Sequence, residues 1–286
     1  MIDLAFSLAL AVSTLAVAVA YAERVARVGH ARDARIERAG SSVLLGKGAM
    51  EMGYWAMRPA ARACIAVGLT ANAVSMASFA FAALAGVSLA LGAFGVGAVL
   101  SLVSSACDAL DGMVARETGT ASDAGEVLDA AVDRYAELFF FGGIAFHERF
   151  DPIAILLTLA ATAGAIMVSY STAKAEALQV PPPRGSMRRQ ERAVYLVVGV
   201  ALVPIVAAVC ARTGLPSWLA RLPLLGVLAL VATVGNVSAV RRLRVTAAAV
   251  RRPTLLRKPE ASRTQTSSET SALAREGHAA AGDALR

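Results

Sequence analysis

Charged residues are scarce in this chain of 286 residues: they make up 17% of the sequence, whereas hydrophobic residues make up 57%. The mean hydropathy is +0.59. An ordinary water-soluble domain carries about 25% charged residues, so this composition is too apolar for one. The shortage of charge therefore favours a protein that lies in a lipid bilayer.

Cysteine is also scarce, with only Cys64, Cys107 and Cys210 in the sequence. The three lie in apolar stretches, without CxxC spacing and without a nearby histidine. Neither a disulfide framework nor a zinc site is indicated, and we interpret these cysteines as small core residues.

The net charge of +7 comes from basic residues that cluster beside apolar stretches. In that position they would meet anionic lipid headgroups or set the membrane topology. We therefore predict no nucleic-acid partner.

Long apolar runs make up most of the sequence, and a helix of roughly 20 such residues crosses a bilayer. The first run, at about 2–22, opens with Asp3 and lacks a small-residue cleavage site before Glu23. A retained helix therefore fits better than a signal peptide. Six further runs follow, at about 71–91, 93–114, 125–146, 152–177, 192–211 and 217–239.

The polar segments divide the chain into three regions. An arginine-rich connector ends near residue 48, and Tyr54 and Trp55 just beyond it suit an amphipathic helix lying on the membrane. The C-terminal stretch is rich in Ser, Thr, Ala and charge, which is typical of a disordered tail. The predicted regions are 1–48 with the N-terminal helix and basic connector, 49–246 with the core, and 247–286 with the cytoplasmic tail.

The predicted fold is an all-α membrane protein. It consists of a six-transmembrane-helix bundle with a juxtamembrane amphipathic helix and one additional N-terminal transmembrane helix. The basic connector, the loop at Arg116, the loop from Arg184 to Arg192 and the stretch from Arg241 to Lys258 follow even steps of the six-helix core. The positive-inside rule places all four in the cytoplasm, and Met1 outside.

Four carboxylates form the most informative pattern in the sequence. Asp108 and Asp111 are three residues apart, and Asp129 and Asp133 are four apart, so each pair shares one face of its helix. The loop between the pairs lets the two helices pack antiparallel, and the four side chains can then converge on one point.

Clustered negative charges at membrane depth are strongly destabilising on their own. Hard divalent cations resolve this conflict, because Mg²⁺ and Mn²⁺ prefer carboxylate and phosphate oxygens. Four carboxylates balance two such ions in formal charge. The pattern therefore predicts a two-metal site that clamps an in-line phosphoryl displacement.

Small and basic residues accompany the acids. Gly112 follows Asp111 and Gly125 precedes Asp129 by four, where a missing side chain would let a nucleotide approach the backbone. Arg116 could supply a bidentate phosphate contact. These residues complete the spacing D-x2-D-G-x2-A-R-x8-G-x3-D-x3-D.

This spacing resembles the signature of the CDP-alcohol phosphotransferase family, at every fixed position. The resemblance covers about 50–246 and implies a six-helix bundle, usually a homodimer, that acts on a CDP-linked lipid such as CDP-diacylglycerol. It implies that Asp108, Asp111, Asp129 and Asp133 bind metal and that Asp133 is also the catalytic base. It further implies CDP contacts from Thr70, Ala71, Asn72, Ala73, Gly112, Arg116, Ser122 and Gly125.

One turn departs from the family pattern. In the commonest form, proline precedes the asparagine at position 72 and threonine follows it, whereas Ala71 and Ser75 stand in this chain.

A second basic cluster suggests how the alcohol is chosen. Lys174, Arg192 and Arg242 could form a cationic pocket for an acceptor that already carries a phosphate. This cluster and the Asp133-Arg134 pair resemble the phosphatidylinositol phosphate synthase branch, although Thr172 stands where some members have a second cation. Inositol 1-phosphate is the first expectation, and glycerol 3-phosphate is the alternative.

Two other functions fit the sequence less well. Buried acids on membrane helices also serve translocation paths, but a transporter does not explain Gly112, Arg116 and Gly125. An inactive scaffold would be expected to lose a metal ligand, and none is lost here.

Overall fold

The computed structural model describes residues 1–29, 46–181, 183 and 185–251. Most of the predicted basic connector, Arg184 and the predicted tail from residue 252 lie outside the described residues. The described part consists of eight α-helices and one short 3₁₀ helix. The elements are α1 Ile2–Val28, α2 Gly46–Ala66, α3 Ala71–Ala90, α4 Phe94–Glu117, α5 Asp123–His147, α6 Pro152–Ala177, α7 Arg189–Thr213, the 3₁₀ helix Ser217–Arg221 and α8 Leu222–Arg251.

The predicted all-helical membrane fold is confirmed. Six helical stretches of the described chain are long and apolar enough to cross a bilayer: α1, α3, α4, α6, α7, and α8 together with the 3₁₀ helix. Helix α5 corresponds to the predicted run at 125–146 and is not among these six, because charged residues such as Asp129, Asp133 and Glu137 interrupt its apolar sequence. It nevertheless packs against α3 and α6, and its residues Phe140, Phe141 and Ile144 belong to the main core.

Helices α3, α5 and α6 each begin after a polar N-cap residue. Thr70 caps α3 by accepting a 3.2 Å hydrogen bond from the N–H of Ala73, and Ser122 caps α5 in the same way through Gly125. Asp151 caps α6, which has proline at its first position. Each cap satisfies N–H groups that a helix leaves without a partner, so the sequence fixes these helix starts locally.

The helices cross closely where glycine replaces larger residues. A Cβ atom built on Gly143 of α5 would lie 2.3 Å from the carbonyl oxygen of Gly86 on α3. On the other side of the bundle, Gly164 of α6 packs against Asn236 of α8, whose amide donates to the carbonyl of Ala160. Small residues at the crossings let helix backbones approach within a membrane, where packing drives association.

The additional helix α1 packs on the bundle. The Asp3 carboxylate accepts a 3.0 Å hydrogen bond from the N–H of Val96 near the start of α4, and Ser7 is fully buried. At the other end of α1, the Tyr21 hydroxyl donates to Glu51 of α2 at 3.1 Å. Helix α1 therefore runs along the bundle from the start of α4 to α2.

Helix direction places several helix ends together. Contacts of Ser75 with Asp111 and of Ser78 with Ser104 make α3 and α4 antiparallel. The start of α3, the end of α4 and the start of α5 therefore lie at one end of the bundle, which we call the site end. The start of α7 joins them, because Arg189 contacts Asp108.

Candidate active site

The predicted metal ligands meet at the site end of the bundle. Carboxylate oxygens of Asp108, Asp111 and Asp129 lie within 4.8 Å of one another. Asp133 follows Asp129 by one helical turn on α5 and lies beside Asp108. Asp111 and Asp133 are buried, and Asp108 and Asp129 are half-buried. The antiparallel packing expected from the sequence therefore produces one carboxylate cluster.

The neighbours of the cluster satisfy only some of its carboxylate oxygens. Ser75 donates a 2.5 Å hydrogen bond to Oδ2 of Asp111. The buried Oδ1 atom of Asp129 has no hydrogen-bond partner among the described residues. A buried carboxylate oxygen without a hydrogen-bond partner destabilises the fold unless a ligand or a water molecule binds to it. The donor set, composed of carboxylate oxygens, suits a hard divalent ion such as Mg²⁺ or Mn²⁺.

Arg189 joins the cluster from the first residue of α7, and its role is missing from the sequence interpretation. Its Nη1 lies 2.6 Å from Oδ2 of Asp108, and its Nη2 forms an ion pair with Oδ1 of Asp133. The basic run at 188–192 was visible in the sequence, but the spacing does not indicate which of its arginines faces the acids.

The residues expected to bind the nucleotide surround the same end. The Thr70–Ala73 segment forms the first turn of α3, and Ser122 and Gly125 form that of α5. Arg116 is exposed, and its guanidinium group folds back over Gly112, so that a Cβ on Gly112 would lie 3.1 Å from Nη1. The glycine thus makes room for the arginine of its own helix.

The residues expected to bind the acceptor occupy different environments. Arg192 is 1% exposed, pairs with Glu137 and donates to the carbonyl of Met187 at 2.9 Å. Arg242 is buried and donates to Thr172 at 3.1 Å and to the carbonyl of Ser186 at 3.2 Å. The two arginines therefore donate to neighbouring carbonyl groups, those of Met187 and Ser186, in the turn before α7.

Lys174 lies apart from this pair. It is exposed, and it follows Thr172 by two residues on α6. Residues two apart on a helix do not face the same way, so Lys174 and the hydroxyl that contacts Arg242 lie on different sides of α6.

Glu137 is a further charged residue that the sequence interpretation did not single out. It lies one turn beyond Asp133 on α5 and accepts hydrogen bonds from Arg134 at 3.0 Å and from Arg192. Arg134 also donates to Ser169 of α6 at 2.6 Å. The i, i+4 spacing after Asp133 was the available signal.

A small cavity extends from the cluster into the bundle. Its volume is about 60 Å³, and α3, α4, α5 and α7 form its walls. Its polar lining comes from Ser101, Ser104, Ser105, Glu137, Arg189 and Arg192. Polar groups thus continue below the carboxylates between apolar helices.

Comparison with known proteins gives consistent results. A sequence model of the family described as CDP-alcohol phosphatidyltransferase matches residues 68–237. The phosphatidylinositol phosphate synthase of Mycolicibacterium smegmatis is 34% identical over 149 residues, which is 51% of this chain and 67% of that protein.

Two solved structures of the Mycobacterium tuberculosis phosphatidylinositol phosphate synthase also match. The complex with manganese and citrate has a TM-score of 0.57 and 26% identity, over 67% of this chain and 88% of that one. The form with CDP-DAG bound has a TM-score of 0.55 and 27% identity, over 66% and 92% respectively.

Proposed function

This chain belongs to the CDP-alcohol phosphatidyltransferase family, and from that premise we propose that it transfers the phosphatidyl group of CDP-diacylglycerol to inositol 1-phosphate. CMP is the second product. The observation that carries the proposal is the convergence of Asp108, Asp111 and Asp129 within 4.8 Å, beside Asp133. The solved relatives with manganese and with CDP-DAG support the same chemistry.

In this proposal the four aspartates hold two divalent ions, Mg²⁺ or Mn²⁺. Such ions, when bound, stabilise the negative charge that develops on the transferred phosphate and on the leaving group. The unpartnered Oδ1 of Asp129 supports the assignment. Ser75 holds one oxygen of Asp111 and leaves the other available as a ligand.

Asp133 is the proposed general base. The acceptor hydroxyl attacks the β-phosphorus of the CDP-lipid, the bond to the CMP oxygen breaks, and Asp133 takes the hydroxyl proton. Its position one turn below Asp129, facing the start of α7, supports an approach of the acceptor from that side.

The CDP moiety is proposed to bind at the first turns of α3 and α5. The exposed N–H groups at helix starts favour phosphate oxygens, and Thr70–Ala73, Ser122 and Gly125 lie there. Arg116 is exposed above Gly112 and can donate to a phosphate in a bidentate manner.

A phosphorylated acceptor is favoured by the buried arginines. Arg192 and Arg242 each have a buried Nε–H without a hydrogen-bond partner among the described residues. A phosphate group would supply oxygens to both, which an uncharged alcohol does less well. Lys174, expected from the sequence in the same pocket, lies on a different side of α6 from Thr172, so its contribution to acceptor binding stays a prediction.

Glycerol 3-phosphate is the second candidate, because it presents the same phosphate to the same arginines. The net charge of the proposed pocket is compatible with either phosphorylated acceptor. Five carboxylates, the four aspartates and Glu137, face the guanidinium groups of Arg134, Arg189 and Arg192. Two divalent ions would more than balance the remaining negative charge and leave the pocket cationic.

We also propose that the site end faces the cytoplasm of a bacterial inner membrane, since Arg116, Arg188, Arg189 and Arg241 lie at that end. The protein is further proposed to be a homodimer, as the family resemblance implies. Cross-linking in native membranes, followed by gel electrophoresis, tests the dimer. Labelling of a cysteine placed at Arg241 by a membrane-impermeant reagent, in intact and in opened cells, tests the orientation.

The central experiment measures CMP release by the full-length protein in detergent with CDP-diacylglycerol and Mg²⁺. Inositol 1-phosphate, glycerol 3-phosphate and free inositol are offered separately. The proposal expects CMP with inositol 1-phosphate, loss of activity with a chelator, and a folded but nearly inactive Asp133→Asn variant. CMP with glycerol 3-phosphate alone would overturn the acceptor, and an active Asp133→Asn variant would overturn the base.

A further inference from the structure

Arg189 bridges two helices through the carboxylates that the proposed function assigns to metal. One guanidinium nitrogen contacts Asp108 of α4 at 2.6 Å, and another pairs with Asp133 of α5. The Arg189 side chain is 26% exposed, so the bridge is largely shielded from water. A single arginine therefore ties together both halves of the aspartate motif.

The neighbouring arginines are engaged differently. Arg192 and Arg134 pair with Glu137, which lies outside the motif. Within the described part of the chain, Arg189 is the one basic residue that forms salt bridges with the motif aspartates. Its placement is thus specific to the cluster and is not a general feature of the basic segment before α7.

The Arg189 guanidinium group and a divalent ion would compete for the carboxylates of Asp108 and Asp133. Arg189 engages Oδ2 of Asp108 and Oδ1 of Asp133, one oxygen of each carboxylate. Two cations within a few ångströms of one another also repel, and a site shielded from water screens that repulsion weakly. Coordination of an ion by those two oxygens therefore requires the arginine to move.

Space for that movement lies beside the cluster. Arg189 lines the cavity of about 60 Å³, together with Arg192 and Ser105. A guanidinium group that leaves the carboxylates can turn towards this cavity, where it adds a positive charge next to Arg192. The same motion that opens the carboxylates would then strengthen an anion site.

We propose that Arg189 is a displaceable counter-cation: it holds Asp108 and Asp133 together until divalent ions bind, and it then turns to the anionic substrate. The inference rests on the proposed function in that the aspartates are taken as metal ligands. Metal binding and anion binding are then positively coupled, and each favours the other by the same factor.

Manganese affinity provides the first test, measured on the purified full-length protein from the electron paramagnetic resonance signal of free Mn²⁺. Arg189→Gln removes the competing charge, so it should bind Mn²⁺ about tenfold more tightly than the wild type. Arg241→Gln removes an exposed charge from the same end and should leave the affinity unchanged. Equal or weaker Mn²⁺ binding by Arg189→Gln overturns the proposal.

Arg189→Lys covers the case in which the glutamine variant does not fold. It keeps the charge, but an ammonium group does not span two carboxylates as a guanidinium does. Its Mn²⁺ affinity should therefore lie above that of the wild type and below that of Arg189→Gln. A wild-type affinity in Arg189→Lys would contradict the bridging role.

Sulfate serves as the anion probe in a second measurement. In the wild type, sulfate should raise the unfolding temperature more when Mg²⁺ is present than when it is absent. Arg189→Gln should lose this difference, which separates the arginine from direct contact between metal and sulfate. Equal sulfate stabilisation of the wild type with and without Mg²⁺ overturns the coupling.

These measurements do not depend on turnover. A wild type that binds no Mn²⁺ would remove the metal site itself, and the inference with it. A wild type that binds Mn²⁺ while Arg189→Gln binds it no more tightly would refute the inference alone. Absence of CMP release with every acceptor would affect the proposed function and leave the Arg189 result standing.

Discussion

The hydroxyl of Ser75 on α3 donates a 2.5 Å hydrogen bond to Oδ2 of Asp111 on α4. Both residues are about 5% exposed, so water does not compete for this contact. The bond fixes the carboxylate orientation and connects the proposed nucleotide-binding turn of α3 with the proposed metal ligands. Ser75 stands where the commonest family form has threonine, and either hydroxyl can make the contact.

Ser75→Ala should weaken Mn²⁺ binding about tenfold, because partners that orient a metal ligand typically contribute at least that much. Ser75→Thr keeps the hydroxyl and should retain the affinity. Ser78→Ala is the matched control: it removes a buried hydroxyl from the same helix as Ser75, one that bonds to Ser104 of α4 and not to an aspartate. If Ser75→Ala and Ser78→Ala bind Mn²⁺ equally, Ser75 does not position Asp111.

The crossing of α3 and α5 gives a second prediction. Gly143→Ala would place a Cβ 2.3 Å from the backbone of Gly86, whereas Gly142→Ala meets nothing within 4 Å. Overpacking of this kind costs about 1–3 kcal/mol or more. Thermal unfolding in detergent should show a lower midpoint for Gly143→Ala and a midpoint near the wild type for Gly142→Ala. Equal midpoints would mean that the helices do not pack this closely.

A third prediction concerns the attachment of α1. A Cβ on Gly95 would lie 2.0 Å from the carbonyl oxygen of Asp3, so Gly95→Ala should displace α1 from α4 and lower the unfolding midpoint. Gly226→Ala adds the same methyl group where nothing lies within 4 Å, so it should leave the unfolding midpoint unchanged. Asp3→Ala, which removes the acceptor for the Val96 N–H, should also be destabilising. If neither Gly95→Ala nor Asp3→Ala changes the midpoint, α1 does not stabilise the bundle.

The fourth prediction concerns pH at the end of the bundle opposite the site. N–H hydrogen bonds at the start of α6, first that of Ala154, and the Arg221 guanidinium lower the pKa of Asp151 below its ordinary value. A lowered folded-state pKa stabilises the protein above the unfolded pKa of about 3.9, and this contribution disappears as the pH falls through the folded value. Asp151→Asn should therefore lower the unfolding midpoint at pH 7.

The difference between Asp151→Asn and the wild type should begin to shrink as the pH falls below about 3.9, where the unfolded chain takes up a proton at this position. It should vanish below the lowered pKa of the folded carboxyl group, where the folded wild type is protonated as well. Asparagine remains a good helix cap, so the variant isolates the charge. Thermal unfolding at a series of pH values makes the comparison. A difference that stays constant from pH 7 down to about pH 2 would exclude the carboxylate charge as its cause.

Much of the fold could be predicted from the sequence, because its signals are local. The apolar runs give the helices, and Thr70, Ser122 and Asp151 mark helix starts through hydrogen bonds to residues two or three positions away. The predicted run at 192–211 was shorter than α7, which begins at Arg189, since charged residues at a helix start carry no apolar signal.

The aspartate cluster could be predicted because helix periodicity fixes which residues share a face. Asp108 with Asp111, and Asp129 with Asp133, follow from spacing once the two helices are known to be antiparallel. The sequence alone thus determined the helical membrane fold and the candidate ligands of the metal site.

Only the tertiary structure decided which distant residues complete that site. Periodicity does not relate α3 or α7 to α4, so neither the Ser75 contact with Asp111 nor the bridge from Arg189 could be predicted. The burial of Arg192 and Arg242, and the separation of Lys174 from them, likewise depend on how α6, α7 and α8 pack. Spacing along one helix fixes the direction in which its side chains point, whereas contacts between helices arise from packing of the whole bundle.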